Sequence, residues 1–187
     1  LLGKGLALLH QASTEELNKN FGWESEGFIG SSEQLKGWDS NWGNFFVNFR
    51  LIPQLRKAEK WGIRVNDYKN DLLSISSFLN KHCPVPSLIH GDLWSGNCGS
   101  NEHGLGSIFD PACYWADREV DISMTKLFGG FNRDFYEGYE EVWPTEKFSE
   151  KRTNIYNLYH LLNHANIFGG SYKASARKIL KNLGSYC

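Results

Sequence analysis

Residues 90–97 read HGDLWSGN, and the interpretation of the whole chain starts from this stretch. Thirteen positions after Asn97 stands Asp110, directly behind the apolar pair at 108–109. Residues 101–104, NEHG, have the composition of a turn. We therefore predict a strand, a turn and a return strand between Asn97 and Asp110. Such a hairpin would bring these two side chains together at one end.

His90, Asp92 and Asn97 have the spacing of a kinase catalytic loop, in which Asn stands five positions after the Asp. Phosphoryl transfer needs a carboxylate beside the attacking hydroxyl and oxygen ligands that hold Mg²⁺ against the phosphates of ATP. We expect Asp92 to be the catalytic base, and Asn97 and Asp110 to bind the metal and the nucleotide phosphates through it. Each residue alone also suits an ordinary turn, but the combination between two short strands favours the catalytic interpretation.

The same stretch resembles the catalytic loop of fructosamine 3-kinases and their ketosamine-3-kinase-related relatives. The HGD with its Asn is shared with aminoglycoside and choline kinases, whereas the Leu-Trp-x-Gly interior is more particular to the fructosamine kinases. Further stretches across nearly the whole chain are similar to segments of that family. They are WxxFFxxxRLxPQ at 42–54, DPA followed by DREVD at 110–121, LFGGF at 127–131 and YHLLNH at 159–164.

The resemblance implies a fold, a reaction and two cofactors. We expect one domain over 1–187, mainly α with a small β-hairpin element (α+β), equivalent to the C-terminal lobe of the protein-kinase-like fold. The implied reaction is ATP-dependent phosphorylation of the 3-hydroxyl of a ketosamine, such as a fructosyl or ribulosyl adduct on a glycated protein or amine. The 3-phosphate makes the adduct unstable, which leads to deglycation. ATP and Mg²⁺ are the implied cofactors.

Residues 1–187 contain no counterpart of the glycine-rich phosphate loop or of the strand lysine that such kinases use. We therefore expect the N-terminal nucleotide-binding lobe to be absent from this chain and to act as its partner in cis. The chain alone is then expected to be inactive.

Two other functions remain open at this point. The first is an aminoglycoside- or choline-kinase-like enzyme, against which Trp94 and the segments at 127–131 and 159–164 argue. The second is a truncated, noncatalytic remnant. The presence of all three residues Asp92, Asn97 and Asp110 argues against that second alternative.

Other polar and aromatic residues are candidates for secondary roles. Candidates for substrate contact are Trp94, Arg50, Asp117, Asn163 and His164. Candidates for supporting the catalytic loop are His90, Arg118 and Asp121. The alternatives are structural: Trp94 packs under the loop, Asp117 and Arg118 form an ion pair, or Asp121 caps the helix that follows it.

The composition excludes several classes of partner. The 20 basic and 21 acidic residues give a net charge of −1, so we expect neither nucleic-acid nor anionic-membrane binding. No apolar run approaches the roughly 18 residues of a membrane span. The four cysteines form no C-x-x-C pair, which is typical of reduced thiols and a cytoplasmic location. The start at Leu1 leaves an upstream targeting peptide open.

Apolar spacing of three and four residues predicts helices along most of the chain. They are expected at 1–12, from about 40 with a break at Pro53, and at 66–81, 121–128, 134–142, 149–168 and 171–183. Residues 20–39 show neither helical nor strand periodicity and are predicted to be a long surface loop.

Overall fold

The computed structural model describes residues 1–15, 20–146 and 149–186. Within these ranges the α-, π- and 3₁₀-helical segments together account for more than half of the residues, and the π-helical segment, Phe46–Leu51, joins the second helix to the third. The helices are α1 Leu2–Ser13, α2 Trp42–Phe45, α3 Ile52–Ala58, α4 Lys69–His82, α5 Glu119–Thr125, α6 Arg133–Val142, α7 Ser149–Phe168 and α8 Gly170–Lys181. None of the helices in the described ranges has the length and apolar character that crossing a membrane requires.

The strands are short and form three antiparallel sheets. They are β1 Phe21–Trp23, β2 Gly27–Ile29, β3 Ser32–Gln34, β4 Gly37–Asp39, β5 Ser87–Ile89, β6 Cys98–Ser100, β7 Gly106–Ile108 and β8 Tyr114–Ala116. The largest sheet has the order β4-β1-β8-β5, while β2 pairs with β3 and β6 pairs with β7.

The prediction of a surface loop at 20–39 is wrong. This segment forms β1 to β4, and β1 pairs with β8 through Gly22 and Trp115 in the middle of the main sheet. Phe21 and Ile29 are buried in the core. Strands of three residues are too short to show an alternating pattern, because alternation needs several repeats to be recognised. The fold is therefore α+β with more sheet than a single hairpin.

The predicted hairpin between Asn97 and Asp110 is confirmed. Strands β6 and β7 pair in the register Cys98↔Ile108 and Ser100↔Gly106. The backbone N–H of Phe109 then donates to the carbonyl of Asn97 at 3.1 Å, which carries the ladder one step further. The ends of the hairpin thus hold positions 97 and 110 side by side.

The predicted helices are also present, with boundaries shifted by up to about three residues, as is usual for sequence-based assignment. The helical pattern from Trp42 is divided as expected near Pro53, where the π-helical turn precedes α3. A π-turn widens the helix and accommodates Pro53, which has no backbone N–H to continue the helical ladder.

Two apolar clusters surround and position the loop at 90–97. In the larger, Trp42 and Phe46 pack against Tyr156 of α7, and the indole N–H of Trp42 donates to the Tyr156 hydroxyl at 2.9 Å. In the smaller, Leu93 of the HGDLWSGN stretch is buried with residues of α1, α5 and α6, including Leu6. Burial of Leu93 anchors the loop, and its chain neighbours Asp92 and Trp94 remain only partly buried.

Candidate active site

An open cleft of about 670 Å³ brings together elements distant in sequence. The loop at 90–97 forms its floor, the end of β7 one side, and the ends of β2 and α7 the other. Its lining residues are Phe28, Ile29, Gly30, Asp92, Trp94, Asn97, Asp110, Pro111, Ala112, Asn163, His164, Ile167, Phe168 and Tyr172. The three predicted catalytic and metal-binding residues therefore share one cleft.

Gly91 is required by the backbone of the loop. Its φ is +81°, in the left-handed region that favours glycine. A Cβ at this position would collide with the carbonyl oxygen of Ala112. That close approach accompanies a backbone hydrogen bond of 2.8 Å from the Ala112 N–H to the His90 carbonyl. The loop and the segment after Asp110 are thus joined directly at the base of the cleft.

Asp121 holds the loop from below. Its fully buried carboxylate accepts hydrogen bonds of 2.8 Å from the backbone N–H groups of both His90 and Gly91. The imidazole Nε2 of His10 donates to the same carboxylate at 3.1 Å. Burial by itself would raise the pKa of Asp121, but the bond from His10 and the backbone donors outweigh burial and hold the pKa below its ordinary value. The carboxylate is therefore ionised and fixes the turn at residues 90–91.

His10 and Tyr139 extend this brace. The Tyr139 hydroxyl lies 2.8 Å from His10 Nδ1, and Arg118 Nη1 donates to the same hydroxyl at 3.2 Å. Among the described residues, Arg118 is linked to the loop through Tyr139, His10 and Asp121, and its other hydrogen bonds go to the carbonyls at 143 and 144. Sequence analysis did not identify His10 or Tyr139, because both stand in ordinary amphipathic helices.

His90 connects the loop to Phe109, the residue before the left-handed backbone turn at Asp110. Its Nε2 donates to the Phe109 carbonyl at 2.9 Å, and its Nδ1 accepts from the Asp92 N–H at 3.3 Å. Asp110 has a φ of +52°, which is uncommon for a residue with a side chain. The hydrogen bonds made by Phe109 on one side and Ala112 on the other hold it there. Such backbone strain is often found at functional sites.

The Asp92 carboxylate lies at the cleft and is only partly paired. Its Oδ1 is buried and has no hydrogen-bond partner among the described residues. Asn97 Nδ2 donates to the Asp92 carbonyl at 2.8 Å and, more weakly, to Oδ2 at 3.4 Å. Burial raises the pKa of the Asp92 carboxyl, and the nearby imidazoles of His164 and His90 oppose this only in part. Asp92 is thus a stronger base than an exposed aspartate.

The donor set at the open side of the cleft fits a divalent cation. The amide nitrogen of Asn97 is committed to Asp92, so its Oδ1 is the atom that remains for a ligand. The Asp110 carboxylate is exposed and lines the same cleft. An amide oxygen and a carboxylate are the hard ligands that Mg²⁺ prefers.

Trp94 forms part of the wall. Its indole folds back over Gly96, where a Cβ would overlap the six-membered ring. The ring meets Phe128 edge-on, with centroids 6.1 Å apart. Trp94 is half-buried and lines the cleft. The Leu-Trp-x-Gly interior therefore has a steric explanation: leucine anchors the loop, and glycine leaves room for the indole.

Residues 1–185 match the family model described as fructosamine kinase. This chain belongs to the fructosamine kinase family. It is 43% identical over 184 residues to a "Probable ketoamine kinase" of Vibrio parahaemolyticus, and 42% identical over 180 residues to one of Synechocystis sp.. These matches cover 98% and 96% of this chain but only 62% and 60% of those relatives. The chain thus spans less than two thirds of the length of the curated relatives it matches.

Solved structures agree with this family assignment. The crystal structure of a "Putative fructosamine-3-kinase" from Haemophilus somnus 129PT superposes with a TM-score of 0.87 at 30% identity. The superposition covers 97% of this chain and 61% of the Haemophilus protein. A second, from Thermobifida fusca, gives a TM-score of 0.76 at 29% identity.

In this member of the fructosamine kinase family, Arg50 does not reach the cleft, which corrects the expectation of substrate contact. The side chain is fully buried in the π-helical segment. Its guanidinium lies 4.0 Å from the ring centroid of Tyr114 and 4.8 Å from that of Phe45. Nη1 donates to the carbonyls of Leu35 and Phe49, each at 3.0 Å. Arg50 ties the β3–β4 connection to the helical core.

Asp117 also lies outside the cleft, so its predicted contact with substrate is corrected as well. The buried carboxylate accepts from the Tyr156 hydroxyl at 2.6 Å and from the Glu119 N–H at 2.9 Å, and pairs with His82 Nε2 at 3.0 Å. Glu119 in turn accepts two hydrogen bonds from Arg152, from Nε at 2.7 Å and from Nη2 at 2.8 Å, in a bidentate ion pair. This cluster joins α4, α5 and α7 and serves packing. Asp117 and Arg118 do not pair with each other, because Arg118 turns towards Tyr139.

Asn163 and His164 do line the cleft. Asn163 is buried and bridges Gln54 and the Ile29 carbonyl, at 3.2 and 3.3 Å. His164 Nδ1 donates to the His160 carbonyl at 2.9 Å, which leaves Nε2 as the free ring nitrogen. His164 is therefore the better placed of the two to accept a hydrogen bond from a ligand. Of the cysteines, 83, 98 and 113 carry free thiols, and Cys187 lies outside the described residues.

Proposed function

We propose that this protein is an ATP-dependent ketosamine 3-kinase, in which residues 1–187 supply the acceptor cleft and the catalytic base. One observation carries the proposal: Asp92, whose buried Oδ1 has no hydrogen-bond partner among the described residues, lines a cleft that also contains Asn97 and Asp110. A carboxylate beside two oxygen ligands is what transfer of a phosphoryl group to a hydroxyl needs. Membership of the fructosamine kinase family supports a ketosamine as the acceptor.

In the proposed reaction the sugar 3-hydroxyl donates a hydrogen bond to Asp92 Oδ1. The hydroxyl oxygen bonds to the γ-phosphorus of ATP, the bond from that phosphorus to the β-phosphate oxygen breaks, and ADP leaves. The hydroxyl proton passes to Asp92, whose raised pKa favours its acceptance. Asn97 and Asp110 would hold Mg²⁺, which neutralises charge on the phosphates. Asn97 and the Asp121 brace keep the base in place throughout.

The charge of the cleft favours a cationic acceptor. Among the described residues, its lining includes two carboxylates, those of Asp92 and Asp110, and neither lysine nor arginine. The nitrogen of a ketosamine is a secondary ammonium, which such a lining attracts. An aminoglycoside or choline is also cationic, so the same observation keeps a kinase for those acceptors as the second candidate.

The lack of cationic side chains in the lining also bears on ATP. A triphosphate needs positive groups or backbone donors around it, and the lining residues in the described ranges include no lysine or arginine. We therefore propose that a nucleotide-binding lobe outside residues 1–187 acts in cis, which agrees with the 62% coverage of the Vibrio relative. Residues 1–187 alone are expected to show no micromolar affinity for ATP.

The test is an acceptor panel with the complete gene product that contains residues 1–187. The protein is incubated with ATP, Mg²⁺ and one acceptor at a time: a fructosyl amine, a ribulosyl amine, an aminoglycoside or choline. Phosphorus NMR and mass spectrometry identify the product. Phosphate on the sugar 3-hydroxyl supports the proposal. Phosphorylation of only an aminoglycoside or choline supports the second candidate, and no transfer to any acceptor supports a noncatalytic remnant.

A further inference from the structure

Two strongly exposed phenylalanines stand at the opening of the candidate active site. Phe28 and Phe168 are 67% and 66% exposed, and both line the cleft that contains Asp92. The other large apolar side chains of comparable exposure in the described ranges, such as Leu73 at 63%, lie outside this cleft. An exposed aromatic ring carries a hydration cost that binding of an apolar group removes.

The two rings are presented by separate elements that meet at the cleft. Phe28 is the central residue of β2, where Ile29 points into the core and Phe28 points outward. Phe168 is the last residue of α7, and its ring lies 5.7 Å from His164 and 6.2 Å from Tyr172, measured between centroids. Each ring is therefore held on a regular element rather than on a mobile loop.

The chemistry of the proposed substrate decides what reaches these rings. In a ketosamine the amine is attached at C1, and the hydroxyl proposed to react is at C3, so only a few covalent bonds separate them. With the 3-hydroxyl at Asp92, the amine lies near the floor of the cleft and its substituent extends towards the opening. For a glycated lysine this substituent is a chain of methylene groups.

We propose that Phe28 and Phe168 form a subsite for the apolar substituent of the amine and so select ketosamines carried on lysine-like chains. This inference rests on the proposed ketosamine kinase function. The methylene chain packs between or against the rings, while Trp94 and His164 contact the sugar deeper in the cleft.

The experiment compares two substrates with the same sugar and different amines. Fructosyl-methylamine has almost no apolar substituent, whereas the fructosyl derivative of Nα-acetyl-lysine carries the full methylene chain. The complete gene product, with ATP and Mg²⁺, is assayed on both, and the ratio of the two kcat/KM values is the readout. We expect wild type to prefer the lysine derivative by about tenfold, as aromatic packing of this kind can provide.

The variants Phe28→Ala and Phe168→Ala should each reduce this ratio about three- to fivefold, mainly through the KM of the lysine derivative, and Phe28→Tyr should restore most of it. Leu73→Ala removes an equally exposed apolar side chain outside the cleft and should leave the ratio at the wild-type value. If both phenylalanine variants keep the wild-type ratio, or change kcat/KM equally for the two substrates, the subsite is refuted while the kinase function stands. If wild type phosphorylates neither ketosamine, the proposed function and the subsite fall together.

Discussion

The most direct test of the loop architecture is the substitution Asp121→Asn. Asp121 accepts from two backbone N–H groups and from His10, all inside the core. The asparagine side chain has the same shape, but one oxygen acceptor is replaced by an NH₂ donor. At most one of the N–H groups of His90 and Gly91 then keeps a side-chain acceptor. The other is left as a buried donor facing a donor.

The magnitude follows from these contacts. Hydrogen bonds to a charged acceptor contribute about 1.5–3 kcal/mol each, and a buried unsatisfied donor costs about 1–3 kcal/mol. The neutral amide relieves part of the cost of burying the Asp121 charge, which offsets some of the loss. We expect the free energy of unfolding to fall by about 2–4 kcal/mol, a large part of the roughly 5–15 kcal/mol of a typical domain.

Urea unfolding of residues 1–187 near neutral pH measures this difference, and amide hydrogen exchange of residues 90 and 91 locates it. The matched control is Asp67→Asn, which breaks an exposed ion pair with Arg64 and should cost less than about 1 kcal/mol. Because the pKa of Asp121 is lowered on folding, its contribution is present above its unfolded pKa and is lost as the pH falls through the folded one. The gap between wild type and Asp121→Asn should therefore narrow in acid.

The reasoning about Asp121 is refuted if Asp121→Asn is no less stable than the Asp67 control. It is also refuted if stability falls but the amides of residues 90 and 91 keep their protection from exchange. The first result would mean that the carboxylate contributes little net free energy. The second would mean that the damage lies elsewhere in the core.

Three further predictions concern the base, the cleft wall and the packing cluster. Asp92→Asn should lower kcat of the complete gene product by orders of magnitude. The same substitution removes a buried charge, so the free energy of unfolding of this chain should stay unchanged or rise by about 1 kcal/mol. Gly96→Ala should displace the Trp94 ring and lower kcat/KM for a ketosamine about tenfold, with a loss of stability below about 1 kcal/mol. Burial lowers the pKa of His82, but its pairing with Asp117 outweighs burial and raises the pKa above the ordinary value of 6.5. The loss of stability caused by His82→Gln should therefore be greatest below pH 6.5 and should become smaller as the pH rises through the folded-state pKa.

Each of these has a result that would contradict it. Near-normal turnover of Asp92→Asn would remove the base assignment, whatever its stability. An unchanged kcat/KM in Gly96→Ala would show that the indole position does not matter for the acceptor. For His82, unfolding curves of wild type and variant that differ equally at about pH 6 and pH 8 would show that no proton is linked to the pair.

The sequence alone determined the local structure of the candidate catalytic segment. The spacing within residues 90–97 and the distance to Asp110 specify a loop followed by a hairpin, because each depends on local turn geometry and short-range pairing. The helices were predictable for the same reason, since their apolar periodicity spans several turns. The family followed from motifs distributed along the chain, and the match over residues 1–185 confirms it.

Only the tertiary structure decided which distant side chains meet the loop. Arg50 and Asp117 were expected at the cleft and instead lie in the core. Asp117 accepts from Tyr156 there, whereas Arg50 donates through Nη1 to two carbonyls and its Nε and Nη2 have no partner among the described residues. Asp121 acts on the loop through backbone donors, and His10 joins it across more than a hundred residues of sequence. The strands at 21–39 form because they find partners in β8 and in one another, and pairing between remote segments is information that no local pattern carries.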